Sequence, residues 1–218
     1  MSTATNVTAQ AVNTIEWLSA SGTTIVVPVY QRQYRWDIGG CEKLLADVRA
    51  VAASNDAHTH FIGSILSSES TAVTTGPDDV AELVLIDGQQ RITTLMLLVA
   101  ALHHTVRADN PVLAAELERV LVRASDPHRT KLRPHRAWAE VFEKVVLEKT
   151  GEHEARDSRF DDNYAFFRSQ IRADEVAHIW RGLQKLEHVA ITLGADANAQ
   201  QIFESLNSTG EPLRDHEL

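Results

Sequence analysis

The chain has 218 residues, of which 44% are hydrophobic and 23% charged, the proportions of an ordinary globular protein long enough to bury a core. Its formal net charge of −9 excludes a protein that coats nucleic acid through bulk positive charge, though not one that grips DNA through a local patch. A single cysteine, Cys41, excludes an internal disulfide and a multi-cysteine metal site.

Residues 1–14 are small and polar, without the basic-then-apolar order of a secretory signal, and are expected to fray. No apolar run reaches the roughly 18 residues of a membrane span, so a cytoplasmic protein without a membrane partner is expected. Ile15 to Ala20 suits a short amphipathic helix. Ile25 to Tyr30, β-branched and preceded by Ser21-Gly22, reads as a strand ending near Pro28. Gln31 to Trp36 suits a loop, and Gly39-Gly40 opens a helix with Leu44, Leu45, Val48 and Val51 at helical spacing. Phe61–Leu66 and Glu82–Ile86 are strands flanking a polar loop, Ser67 to Asp79, and their natural pairing is a hairpin. After Asp87-Gly88 a long helix begins, with Ile92, Leu95, Met96, Val99, Leu102 and Val106 on one stripe. From Pro111 to about Leu186 the pattern is mostly helical, broken at Ser125-Asp-Pro127, at Pro134 and across 150–162. Val189–Leu193 reads as a further strand and Ala197–Leu206 as a helix stopped by Asn207 to Gly210. Glu211–Leu218 begins a helix that the chain does not finish, which suggests truncation. The expected fold class is α+β, with a small mixed sheet in a first part (1–109) and a mainly helical second part (110–218).

Four stretches carry chemistry. In Asp87-Gly88-Gln89-Gln90-Arg91 a buried strand turns through a glycine into a helix N-terminus, whose free N–H groups attract anions. Arg91 could clamp a phosphate bidentately, Gln89 or Gln90 could orient a water for attack on phosphorus, and Asp87 could hold magnesium or that water. The same string also reads as a capping box, Asp87 bonding forward and Gln90 back. In Pro28-Val29-Tyr30-Gln31-Arg32-Gln33-Tyr34-Arg35-Trp36, arginines alternate with aromatics, which suits phosphate contact with base stacking, or else a core aromatic pair with a charged rim. Glu204 and Asn207, three apart at a helix end before Gly210, could face one pocket or simply stop the helix. Arg123 to Arg136 is a basic island, with Arg129, Lys131 and Arg133 and the histidines His128 and His135 inside it. It suits either a phosphate backbone or solvent. His58, His60, His103 and His104 fall in no metal-ligand spacing.

Taken together and in this order, IVVPVYQRQYRW, FIGSIL, LVLIDGQQRITTL and IFESLNSTGEPL resemble the GmrSD-type N-terminal domain family, from about Ile25 to the last residue. The resemblance implies a ParB/sulfiredoxin-like mixed sheet followed by a helical part. It further implies a modification-dependent, phage-defence restriction system with a C-terminal HNH-type nuclease, and extends to the phosphorothioation-sensing SspE type. By that resemblance Asp87, Gln89, Gln90 and Arg91 form an NTPase site using GTP or ATP with magnesium on Asp87 and Glu204. Gly88, Gln31, Arg32, Glu204 and Asn207 would bind nucleotide or phosphate. Pro28, Val29, Tyr30, Gln31, Arg32, Tyr34, Arg35 and Trp36 would sense modified DNA. The implied partners are DNA, nucleotide, the nuclease domain and a second copy in a homo-oligomer. The rival reading is a non-hydrolysing reader of modified DNA. A sulfiredoxin-like redox enzyme needs a cysteine at the phosphate-binding turn, and Cys41 lies elsewhere.

Overall fold

The computed structural model describes residues 7–31, 33–54, 58–69, 81–148 and 158–194. In chain order the elements are β1 (Val7–Asn13), α1 (Thr14–Ser19), β2 (Thr23–Val26), α2 (Ile38–Ala53), β3 (His60–Glu69), β4 (Ala81–Asp87), α3 (Gln89–Val106) and α4 (Pro111–Leu121). They continue with β5 (Leu132–Arg133), α5 (Arg136–Leu147), α6 (Arg159–Gln170), a 3-10 turn (Ala173–Glu175), α7 (Val176–Leu183) and β6 (Leu186–Leu193). The fold class is α+β as expected, and the sheet is mixed.

Its strand order is β1-β6-β3-β4-β2-β5. β1 runs antiparallel to β6 and β3 antiparallel to β4, while the β6/β3, β4/β2 and β2/β5 pairs are parallel. The expected hairpin is therefore present as the β3/β4 pair. β5 and β6, which come from beyond residue 110, pair in the same sheet as the earlier strands.

Local chemistry sets most element starts. Asn13 caps α1 by accepting from the Ile15 and Glu16 amides, Asp37 caps α2, Asn110 caps α4 ahead of Pro111, and Ser158 caps α6. Along β4 successive residues point to opposite faces. Leu85 joins the large helix-covered core, and Ile86 joins a small cluster with Leu66 and Leu193. α3 is the centre of the large core: from Ile92 to Leu102 every residue is buried, and it packs against α4, α5 and α6. A helix apolar on all sides has no solvent face, so other helices must close around it.

Three expectations need correction, and a fourth falls outside the described residues. Val7–Asn13 is not frayed but forms an edge strand held by the β6 backbone, a pairing that composition does not reveal. β3 continues to Glu69, past the expected loop start at Ser67. The helical run from Pro111 is interrupted by β5, and it ends at Leu183 rather than Leu186. The helix expected at 197–206 lies outside the described residues.

Candidate functional site

The Asp87 turn joins β4 to α3. Gly88 sits at φ +93°, left-handed backbone that glycine adopts without strain, and its Cα face packs on Ile65. Gly88 is the N-cap of α3 and offers no side chain, so the capping box read from the sequence does not form. The first amides of α3 therefore keep no side-chain partner at the cap, which is the arrangement that attracts anions. Asp87 stands beside them with 60% of its side chain exposed. Gln89 is buried, and its Oε1 has no hydrogen-bond partner, an acceptor held ready where an unpaired polar atom is costly.

The next two motif residues are tied into the protein. Gln90 accepts from the Arg35 amide at 2.8 Å through Oε1 and donates to the Gln33 carbonyl at 3.3 Å. Arg91 donates to the Ile62 carbonyl at 2.5 Å and the Ser64 carbonyl at 2.7 Å, with Asp87 3.6 Å away. These two carbonyls flank Gly63, at φ +94°, in a bulge of β3 where a Cβ would overlap the guanidinium. Burial pushes the Arg91 guanidinium down from its ordinary value, and the Asp87 carboxylate opposes the shift.

The segment after β2 docks on this turn. Pro28 to Gln31 form a tight turn closed by the Gln31 amide on the Pro28 carbonyl. Gln31 Nε2 then donates to the Ile86 carbonyl at 2.6 Å and the Leu85 carbonyl at 3.3 Å. Val29 is 73% exposed and Arg35 is exposed, while Pro28, Tyr30 and Trp36 are half-buried. Tyr34 is different. It is 3% exposed, stacked on Phe160, and receives a hydrogen bond from Asn163 Nδ2 at 2.8 Å. Because the Thr94 hydroxyl donates to the Gln90 carbonyl, the Tyr34 hydroxyl must donate to Thr94, 2.7 Å away. Tyr34 thus belongs to the core and has no free face for a base. Asn163 also donates to the Trp36 carbonyl, so α6 holds the loop from behind.

Arg32, Glu204 and Asn207 lie outside the described residues, as does Gly210. Among the described residues no group of three or more His, Cys, Asp or Glu could hold a metal ion. A magnesium ion bound by one exposed carboxylate together with phosphate oxygens and waters would need no such group, and Asp87 fits that arrangement.

Two features escaped the sequence reading. Gly63 carried a usable signal, since a lone glycine inside a strand marks a bulge. His188 carried none: it is fully buried on β6 opposite that bulge, its Nδ1 3.0 Å from the Thr14 hydroxyl and its Nε2 without a partner. Burial chiefly, and the charge of Arg91 next, push its pKa down to about 4. The basic island is largely committed internally. Lys131 is 2% exposed and donates to the Ala20 carbonyl, Arg133 pairs with Glu82 at 2.7 Å, Arg129 pairs with Glu143 at 3.3 Å, and Arg123 donates to the Thr130 carbonyl.

With this geometry in view, comparison with family models is decisive. The model for the GmrSD restriction endonuclease N-terminal domain matches residues 15–218. The chain belongs to this family. Membership places the GmrSD-type domain in a restriction enzyme, whose substrate is DNA. No curated protein matches the chain. No helix among the described residues of the GmrSD-type domain is long and apolar enough to cross a membrane.

Proposed function

We propose that this GmrSD-type domain hydrolyses a nucleoside triphosphate at the Asp87–Arg91 turn and reads modified DNA with the adjoining loop, so that hydrolysis regulates nicking by a C-terminal HNH-type nuclease. The observation that carries the reading is the uncapped N-terminus of α3, flanked by the exposed Asp87 carboxylate and the unpartnered Gln89 Oε1. The α3 amides would hold phosphate oxygens, Gln89 Oε1 would accept a hydrogen bond from the attacking water and so orient it, and Asp87 would face a magnesium ion. Bound magnesium would neutralise charge developing on the phosphates. Arg91 is assigned a positioning role, because both its terminal nitrogens already bond β3. Gln31 and Gln90 link the loop to the turn by hydrogen bonds, so a DNA-induced shift of residues 33–35 would reach α3 directly.

The test is phosphate release from ATP and GTP with magnesium, alone and with phosphorothioated or matched plain DNA. Turnover is expected to rise with the marked DNA only, and Gln89→Ala to lower it by about 10²-fold or more, the scale of a lost water-orienting group. Val29→Ser should erase the distinction between marked and plain DNA. Equal stimulation by both DNAs would remove the sensing role.

A second reading has its own support. With Arg91 engaged on β3, the Asp87–Arg91 string itself has no cation left for phosphates, as in a reader that binds modified DNA without hydrolysis. Tight binding of marked DNA with no phosphate release under any of these conditions would establish that reading.

A further inference from the structure

At the far end of α3 from the Asp87 turn lies a cavity of about 270 Å³. That is just below the range of roughly 300–1,000 Å³ typical of drug-sized ligands, so its occupant is small. Three helices deliver their C-termini to it: α3 through Arg107, α4 through Leu121 and Val122, and α5 through Val146 and Leu147. Each C-terminus carries about half a negative charge on its last carbonyls.

The side chains add to that field. Glu118 lines the cavity and has no ion pair among the described residues. Arg107, the guanidinium in the wall, is bonded to Glu148, so its charge is already balanced. Three imidazoles, His103, His104 and His128, stand in the wall; burial keeps the first two neutral by pushing both down, His104 to about 4. The Tyr164 hydroxyl donates to Glu148, so His104 Nδ1, 2.7 Å from the same oxygen, must donate to it, and His104 Nε2 is left as a bare acceptor. His103 Nδ1 is buried with no hydrogen-bond partner. The polar side of the cavity is therefore negative and rich in acceptors, and the opposite side is apolar through Leu121, Pro127 and Leu147.

A complementary ligand brings a positive charge, several N–H donors and a short hydrocarbon stem. Anions, including phosphates, are repelled by the same field. We propose that this cavity binds the ammonium end of a small aliphatic amine, with its methylenes against the apolar wall. This inference does not depend on the nucleotide or DNA reading, since none of the lining residues belongs to the Asp87 turn.

Isothermal titration of 1,4-diaminobutane hydrochloride into the chain is expected to show saturable one-site binding, with a rise in thermal midpoint that saturates at the same concentration. The neutral isostere 1,4-butanediol should bind at least about tenfold more weakly, because it lacks the charge that the helix ends attract. Glu118→Gln, an exposed substitution that leaves the core alone, should weaken the diamine by about fivefold or more. Val122→Trp, which fills the cavity, should abolish binding. No saturable heat from the diamine, equal affinity for the diol, or undiminished binding to Val122→Trp would each overturn the proposal. So would preferential binding of adenine, which would reassign the cavity to a heteroaromatic base.

Discussion

Gly63 and Arg91 define each other. The glycine's left-handed backbone turns the Ile62 and Ser64 carbonyls toward the guanidinium, and the missing Cβ leaves room for it. Gly63→Ala should cost about 2 kcal/mol from backbone strain alone, before any displacement of Arg91, read as a lower urea midpoint. Arg91→Ala strands both carbonyls, and a loss of about 1–3 kcal/mol is expected in the same measurement. An activity loss in that variant therefore reports on the fold of β3 as well as on chemistry, whereas Gln89→Ala removes an acceptor that no other described group uses.

At the scale of elements, the loop after β2 and the start of α3 behave as one piece. Gln90 closes on residues 33 and 35, Gln31 closes on the end of β4, and the Asn163–Tyr34–Thr94 chain of hydrogen bonds anchors both to α6. Gln90→Ala should free the Arg35 amide, raising its hydrogen-exchange rate about tenfold while amides in the middle of α3 stay protected. An unchanged Arg35 rate would mean that the loop is held by Tyr34 alone. The close contact of α2 with α7 is similarly specific. A Cβ on Gly182 would overlap the Val48 carbonyl, so Gly182→Ala should force these helices apart and lower stability.

For the whole molecule, the buried histidines set the pH dependence of stability. The pKa of His188 and of His104 is pushed down to about 4 in the folded chain, against about 6.5 when unfolded. Below pH 6.5 the unfolded chain takes up protons that the folded chain refuses. Stability is thus full above pH 6.5 and falls as pH drops toward 4, by at most about 1.4 kcal/mol per pH unit for each imidazole. Urea titrations between pH 7 and 4.5 should show this slope, and His188→Gln should flatten it by one proton. A slope identical in the variant would mean that His188 is protonated in the folded chain.

The sequence by itself determined the local grammar: the α3 stripe, the β3 and β4 strands with their hairpin pairing, and the family strings. Each of these depends on residues within a few positions of one another, where periodicity and turn chemistry are visible. The loop character of residues 33–36 was legible for the same reason. Tertiary structure alone decided that Val7–Asn13 is a strand, since its residues have no apolar stripe and are held by the backbone of β6, more than 170 residues away. It alone decided that Tyr34 turns inward while Val29 faces solvent, and that Arg91 grips β3. It also decided that Arg133 and Arg129 of the basic island pair with Glu82 and Glu143 and that Lys131 is buried. These outcomes turn on which distant carbonyl, carboxylate or ring lies within about 3 Å of a side chain, and that distance is set by chain topology rather than by neighbouring residues.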